Sequence, residues 1–499
     1  MVPRGKQVVL AGVELAHLLS KEDIMLDLIV RGGRVVAGDR VAELDIAVRG
    51  GQIVAVAEPG VITEEAQRVV DASGHIVVPG GVEPHAHIAW PIPPLWAKRE
   101  GAETQSPEAA TRAAAFGGTT TVIDFASQIP GRLPLDALDQ RIARFQGHSY
   151  IDFGFHLTLT GAIPFEALEQ VGDVVARGVP SFKIYTTFGR RNPPNMVDDG
   201  HLWAAMTEVA EHGGMMVIHA EDDDIVEYML KKLAHEGRTE GENIHLVHSN
   251  ISEDIAFRKV IRLAGHTGVG VYFVHVTAKE GVAAIAEARA QGQPIYGEAL
   301  HNYLAFTAED YAKDDGPLYH TYPALKFPDD RDALWQGALN GVISTIATDE
   351  YTTPRDIKMA GRTIEDVCGG HNGIETRMPV AFSEGVSKRG MSLQRFVGLT
   401  SANAARILGM YPRKGVIAPG SDADIVLINP TVRKRLSLDD LHADSDYSIW
   451  EGWEVEGYPV TTILRGNVIV ENGQLLGSTD DGRFLERAVS QEVRTRPVC

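Results

Sequence analysis

Eight short apolar stretches in this chain each run into a residue that can carry charge or bind an ion: they end at His87, Asp124, His156, Lys183, His219, His275, Glu298 and Asp349. A strand apolar along its length is covered on both faces, so such a residue is tolerated where the strand leaves the sheet. The intervening segments read as helices with recognisable starts. Ser106-Pro107-Glu108 sets a capping hydroxyl before a first-turn proline, and Thr277-Ala278-Lys279-Glu280 reads as a capping box. Eight β/α units over about 320 residues predict an α/β fold of the TIM (β/α)8 barrel type, with its chemistry at the carboxyl-terminal strand ends. A doubly wound sheet is the competing architecture, but no glycine-rich phosphate loop follows the first strand.

Both flanks of this region read as β-structure. From Met25, β-branched residues alternate between Gly-Gly and Gly-Asp turns over Leu26 to Val30, Gly33 to Val36, Leu44 to Val48, Gln52 to Val56 and Arg68 to Val70. The same style returns over Gly415 to Val426 and Val460 to Val470. One small β-sandwich domain closed by both ends of the chain accounts for this. The expected organisation is an unassigned extension over 1–24, a first sandwich part over 25–78, the barrel over 79–408, a second sandwich part over 409–476, and a tail over 477–499 read as an oligomer contact.

A net charge of −20 would repel a phosphate backbone, so nucleic acid is not expected as a partner. Two cysteines, Cys368 and Cys499, cannot form a disulfide framework, and no apolar run reaches the length of a membrane span. The apolar run Val8 to Leu19 is interrupted by Glu14 and His17 and lacks a small-residue cleavage site, so it is not read as a signal peptide. A cytoplasmic location follows as the expectation.

Within Val82-Glu83-Pro84-His85-Ala86-His87, residues 85 and 87 share one side of an extended segment and can present two imidazoles to one ion. Two merely hydrogen-bonded histidines are the alternative. His219, His275 and Asp349 end buried-looking strands in the same manner. Lys183, in Ser181-Phe182-Lys183-Ile184-Tyr185, places an ammonium in an apolar strand, where it must pair or lose its proton. It is either salt-bridged or a neutral amine able to take up carbon dioxide as a carbamate. An anionic carbamate between two dications would offset part of their charge.

These segments resemble the cyclic amidohydrolases, the family of dihydropyrimidinases and hydantoinases with allantoinase nearby. The likeness runs from Met25 to about Leu476 and is carried by Gly81 to His87, Ser181-Phe182-Lys183, His219-Ala220-Glu221, His275 to Glu280, Thr348-Asp349 and Gly415 to Asp424. It implies that His85, His87 and Asp349 hold one divalent ion and His219 and His275 a second. Lys183, modified to N6-carboxylysine, would bridge them. Imidazole and carboxylate ligands suit zinc, with manganese or cobalt as alternatives. The resemblance further implies a homo-oligomer, tetramer or dimer, and the hydrolytic opening of a cyclic amide or ureide to an N-carbamoyl amino acid or amide acid. Asp349 would serve as both ligand and proton shuttle.

The chain departs from that pattern around the expected substrate. The family's oxyanion tyrosine, five residues beyond the lysine, is Phe188 here, and a phenyl ring cannot donate a hydrogen bond. Tyr185, Thr187, His301 and Asn302 are candidate replacements. After Asp349 the usual His-Cys-Pro is Glu350-Tyr351-Thr352. Trp90 and Trp96 would floor a pocket for a bulky ring substituent or pack against the rim; Arg190 and Arg191 would hold a substrate carboxylate or lie solvated on a loop. The expected function is a hydantoinase-like or dihydropyrimidinase-like hydrolase acting on a substituted ring. Allantoinase, cyclic-imide hydrolase, a mononuclear deaminase and a non-catalytic dihydropyrimidinase-related scaffold are the alternatives.

Overall fold

The computed structural model describes residues 25–129, 131–190 and 195–499; the extension over 1–24 and Arg191 lie outside the described residues. The chain opens with β1 (Leu26–Ala37), β2 (Arg40–Arg49), β3 (Gln52–Ala57), β4 (Ala66–Asp71) and β5 (Ile76–Pro79). The two pieces expected over Leu26 to Val36 are one strand, with a register shift between Val30 and Gly33. Gly80 then carries the chain from one sheet to the next; a Cβ there would lie 2.1 Å from Thr120 Oγ1, so only glycine fits.

Eight parallel strands follow: β6 (Gly81–Glu83), β7 (Thr119–Ser127), β8 (Asp152–Thr158), β9 (Ser181–Tyr185), β10 (Met215–His219), β11 (Gly270–Phe273), β12 (Ile295–Leu300) and β13 (Thr345–Ala347). They pair in sequential order, with helices between them, as expected for the barrel. β6 and β13, the two ends of this order, meet through a parallel bridge between Ala86 and Glu350, where His87 N donates to Glu350 O at 2.8 Å. All seven residues of β8 are buried. Each such apolar side chain contributes about 1.5–3 kcal/mol.

The chain returns through β14 (Ile425–Arg435), β15 (Glu454–Leu464), β16 (Asn467–Glu471) and β17 (Gln474–Leu475). β14 pairs with β5, so both ends of the chain build one nine-stranded sheet. Leu28, Ile46, Val77, Ile425, Leu427 and Ile463 form its separate core. The tail, expected as an oligomer contact, packs on this chain's own barrel. Leu485, Val489 and Val493 cover Val82, Ile123, Met215 and Tyr296, and buried Arg487 donates to Leu408 O at 3.1 Å.

Of the two expected helix starts, Ser106 caps Pro107–Phe116, its Oγ accepting from Ala109 N. Thr277 does not cap Lys279–Ala290. Its hydroxyl bonds buried Glu253, whose carboxylate also accepts from the backbone N–H groups of Thr277 and Ala278. A carboxylate from another helix thus satisfies donors assigned to a local box. Among the described residues, no helix is long and apolar enough to cross a membrane.

Candidate metal centre

His85 and His87 leave β6 just after Pro84, which lacks an N–H and cannot extend the ladder. Both rings turn toward the end of β13, where His85 Nε2 and His87 Nε2 each lie 3.0 Å from Asp349 Oδ1. The three ligand atoms lie within 4.8 Å of one another. Glu298 Oε1, 2.7 Å from His85 Nδ1, can only accept, so Nδ1 carries a proton and Nε2 is the atom left to meet either a second proton or a metal ion. That nitrogen is buried without a hydrogen-bond partner although it faces a carboxylate oxygen. Two electron-rich atoms in such proximity call for a cation between them. Burial opposes a charge on His85, but Asp349 and Glu298 outweigh it and push its pKa up to about 9, so the ring takes up a second proton, on Nε2, wherever no metal ion holds that atom. His-His-Asp is a fitting donor set for a divalent ion.

On the next strands, the His219 and His275 rings meet edge to face with centres 4.5 Å apart, and His275 lies 5.5 Å from His85. His219 Nε2 is 2.8 Å from Glu221 Oε2, and His248 Nδ1 is 2.8 Å from the other oxygen. This fixes the His219 proton on Nε2 and leaves Nδ1 as the available donor atom. Burial pulls His219 down to about 4, and burial with neighbouring His219 and Lys183 holds His275 well below its usual value. Lys183 is 1% exposed, its Nζ 4.8 Å from the Tyr185 ring centre and 5.5 Å from that of Phe125. Burial outweighs the attraction of Asp349 and Glu298 and brings Lys183 down to about 8. This half of the site thus consists of groups that burial drives toward their neutral, lone-pair forms.

The backbone is strained where the ligands sit. His275 (φ 41°), Asp349 (φ 52°) and Phe188 (φ 73°) all adopt the left-handed conformation. For non-glycine residues this costs of order 1–3 kcal/mol each and persists where surroundings enforce it. Glu83 supplies part of that enforcement: Oε1 accepts from His85 N at 3.0 Å and Thr348 N at 3.2 Å, and Oε2 lies 3.1 Å from Arg377 Nε. Glu298 supplies more, accepting from His275 N at 3.0 Å and Tyr272 Oη at 2.6 Å.

Sequence reasoning missed the supporting roles of Glu83, Glu221, Glu298, His248 and Arg377. The available signal was a carboxylate two residues from a histidine, in Glu83-Pro84-His85 and His219-Ala220-Glu221.

The residues read as facing the substrate divide into two groups. Phe188 lies 5.0 Å from His219 and 6.0 Å from Tyr322, and Tyr185 lies 5.4 Å from His219. Trp90 meets His87 edge-on at 5.0 Å. These three line the ligand cluster. Trp96 instead stacks on Tyr322 in a rim cluster with Ile92 and Ile357. Thr187 donates to Asp223 at 2.9 Å, and Arg190 is ion-paired with Glu227 and with Glu365. His301 is buried against Trp450, ring centres 4.7 Å apart, with Nε2 3.2 Å from Thr376 Oγ1; Asn302 is buried beside it.

A parallel eight-stranded barrel bearing histidines and an aspartate at its carboxyl-terminal mouth defines a class of hydrolases. The chain belongs to the amidohydrolase family, whose model matches residues 76–469. Within it, the similarities are to the cyclic amidohydrolases. The chain is 32% identical to a D-hydantoinase of Streptomyces coelicolor over 93% of its own length and 98% of that protein's. It is 32% identical to a D-phenylhydantoinase of Escherichia coli O1:K1 over 84% and 89% of the two chains. The solved dihydropyrimidinase of Brevibacillus agri NCHU1002 superposes with a TM-score of 0.85 at 32% identity, over 93% of this chain and 99% of that one.

Proposed function

We propose that this protein is a binuclear metal-dependent hydrolase that opens a substituted cyclic amide or ureide, hydantoinase-like, to an N-carbamoyl amino acid or amide acid. The observation that carries the reading is the convergence of His85 Nε2 and His87 Nε2 on Asp349 Oδ1, both at 3.0 Å, beside a buried Lys183. His85, His87 and Asp349 would hold one ion, His219 and His275 a second, and Lys183, as the carbamate, both. Bound there, zinc-type ions lower the pKa of water and polarise a carbonyl.

The protein's own residues do the rest. Burial opposes the Asp349 carboxylate, but His85 and His87 outweigh it and hold it well below the usual range, so it is ionised, the form a general base starts from; its place among the ligands makes it the group to take the proton as water attacks the ring carbonyl. The same carboxyl then returns that proton to the departing ring nitrogen. Asp349 and His87 side chains are 13% and 11% exposed, which leaves them reachable from the mouth. Phe188, Tyr185 and Trp90 surround the ligands with aromatic surface that suits a ring substituent. Cys368 and Cys499 are unpaired, in keeping with a reducing cytoplasm, and a homo-oligomer is the expected assembly.

The test is proton release on hydantoin, phenylhydantoin, dihydrouracil, allantoin and succinimide, with protein loaded with zinc and bicarbonate. Preferential opening of a substituted hydantoin is expected. Preference for succinimide or allantoin would replace the hydantoinase reading, and no turnover on any ring would overturn cyclic-amide hydrolysis.

A further inference from the structure

Glu350, directly after Asp349, is 1% exposed and engages four donors. Its Oε2 accepts from Gly373 N at 2.7 Å and Ile374 N at 2.8 Å. Its Oε1 accepts from Gln105 Nε2 at 2.6 Å and from Thr352 Oγ1. Its backbone oxygen takes the N–H of His87 at 2.8 Å, and Gln105 O takes that of Ala89 at 2.9 Å. β6 and β13 have no ladder between them and meet at the Ala86–Glu350 bridge. Glu350 therefore ties together the exit of β6, through its backbone oxygen, and the segments of Gln105, Thr352 and the 371–374 turn, through its side chain. His87 and Asp349 stand on opposite sides of that seam.

We infer that Glu350 is a positioning residue that clasps the barrel seam and so holds His87 and Asp349 in register for their shared ion; the inference rests on the metal-site reading above. Two of the four donors, the backbone N–H groups of Gly373 and Ile374, cannot turn away, so a side chain without an acceptor leaves both unmatched. The cost of a mismatch falls on the strained Asp349 backbone next to it.

The experiment compares wild type, Glu350→Leu, which keeps the bulk and removes every acceptor, and Gln105→Ala, which withdraws one of the four donors. Each is titrated with zinc against a competing chelator and assayed on the best ring of the panel. For Glu350→Leu the expected result is a first zinc bound about 10- to 100-fold more weakly. Its kcat should fall by a like factor, while KM moves less than about threefold. Gln105→Ala shifts the same quantities less, and decides the matter alone if Glu350→Leu does not fold. Wild-type zinc affinity and kcat in the folded variants would overturn the inference, whatever their Tm. A wild type that binds no zinc would instead overturn the site reading, and this inference with it.

Discussion

Glu298 Oε1 sits 2.7 Å from His85 Nδ1, and this contact decides which nitrogen of His85 faces Asp349. Glu298→Gln keeps the volume but can present an amide N–H to that ring, freeing it to take the other tautomer. Zinc affinity is expected to fall by about 10- to 100-fold, read by competition with a chelator. Unchanged affinity would mean that the tautomer is fixed elsewhere.

By the family resemblance Phe188 would stand where an oxyanion tyrosine is expected, and its ring centre lies 5.0 Å from that of His219. Phe188→Tyr makes the same backbone demand and adds only a hydroxyl. If that position still faces the reacting carbonyl, turnover on dihydrouracil rises by about 100-fold, the low end of what one oxyanion donor supplies. Steady-state kinetics check it; an unchanged kcat would show that another donor already serves.

The junction of barrel and sheet is held by charge. Lys414 Nζ lies 2.6 Å from Asp152 and 2.7 Å from Asp424, all buried, and Arg465 also pairs with Asp152. Burial opposes the Asp152 carboxylate, but Lys414 and Arg465 outweigh it and hold its pKa below the usual value. A depressed folded pKa gives stability that is present above the unfolded value of about 3.9 and lost as pH falls through the folded one. Lys414→Met removes the shared cation and is expected to cost about 3–5 kcal/mol at neutral pH. With the carboxylates left facing one another, the variant should gain stability from pH 7 down toward 5, where wild type does not. Denaturant midpoints across that range test the sign.

Much of the architecture was legible because barrel strands are buried on both faces and read as apolar runs, although Asp124, His156, Lys183 and Glu298, read as strand ends, lie inside β7, β8, β9 and β12. The Ser106 cap follows from local pattern, the return of the last strands to the first sheet from the shared style of the two flanks, and the grouping of His85 and His87 with Asp349 from the family resemblance. What was not legible rests on long-range partners or backbone strain. β11 and β13 stop two residues short of His275 and Asp349, each in the left-handed conformation, which no side chain there announces. His301, offered as an oxyanion donor, stacks on Trp450 from the loop after β14, a contact that spacing within one segment does not reveal. Thr277 loses its capping role to Glu253 for the same reason.

The central claim is a two-ion site built around Lys183. Its most direct test is the metal content of wild type and Lys183→Ala after loading with zinc and bicarbonate and removal of excess ion. Two zinc ions per chain in wild type, falling to one or none in the variant, is the predicted result. A single ion in both would contradict it, leaving Lys183 a structural residue beside a mononuclear site.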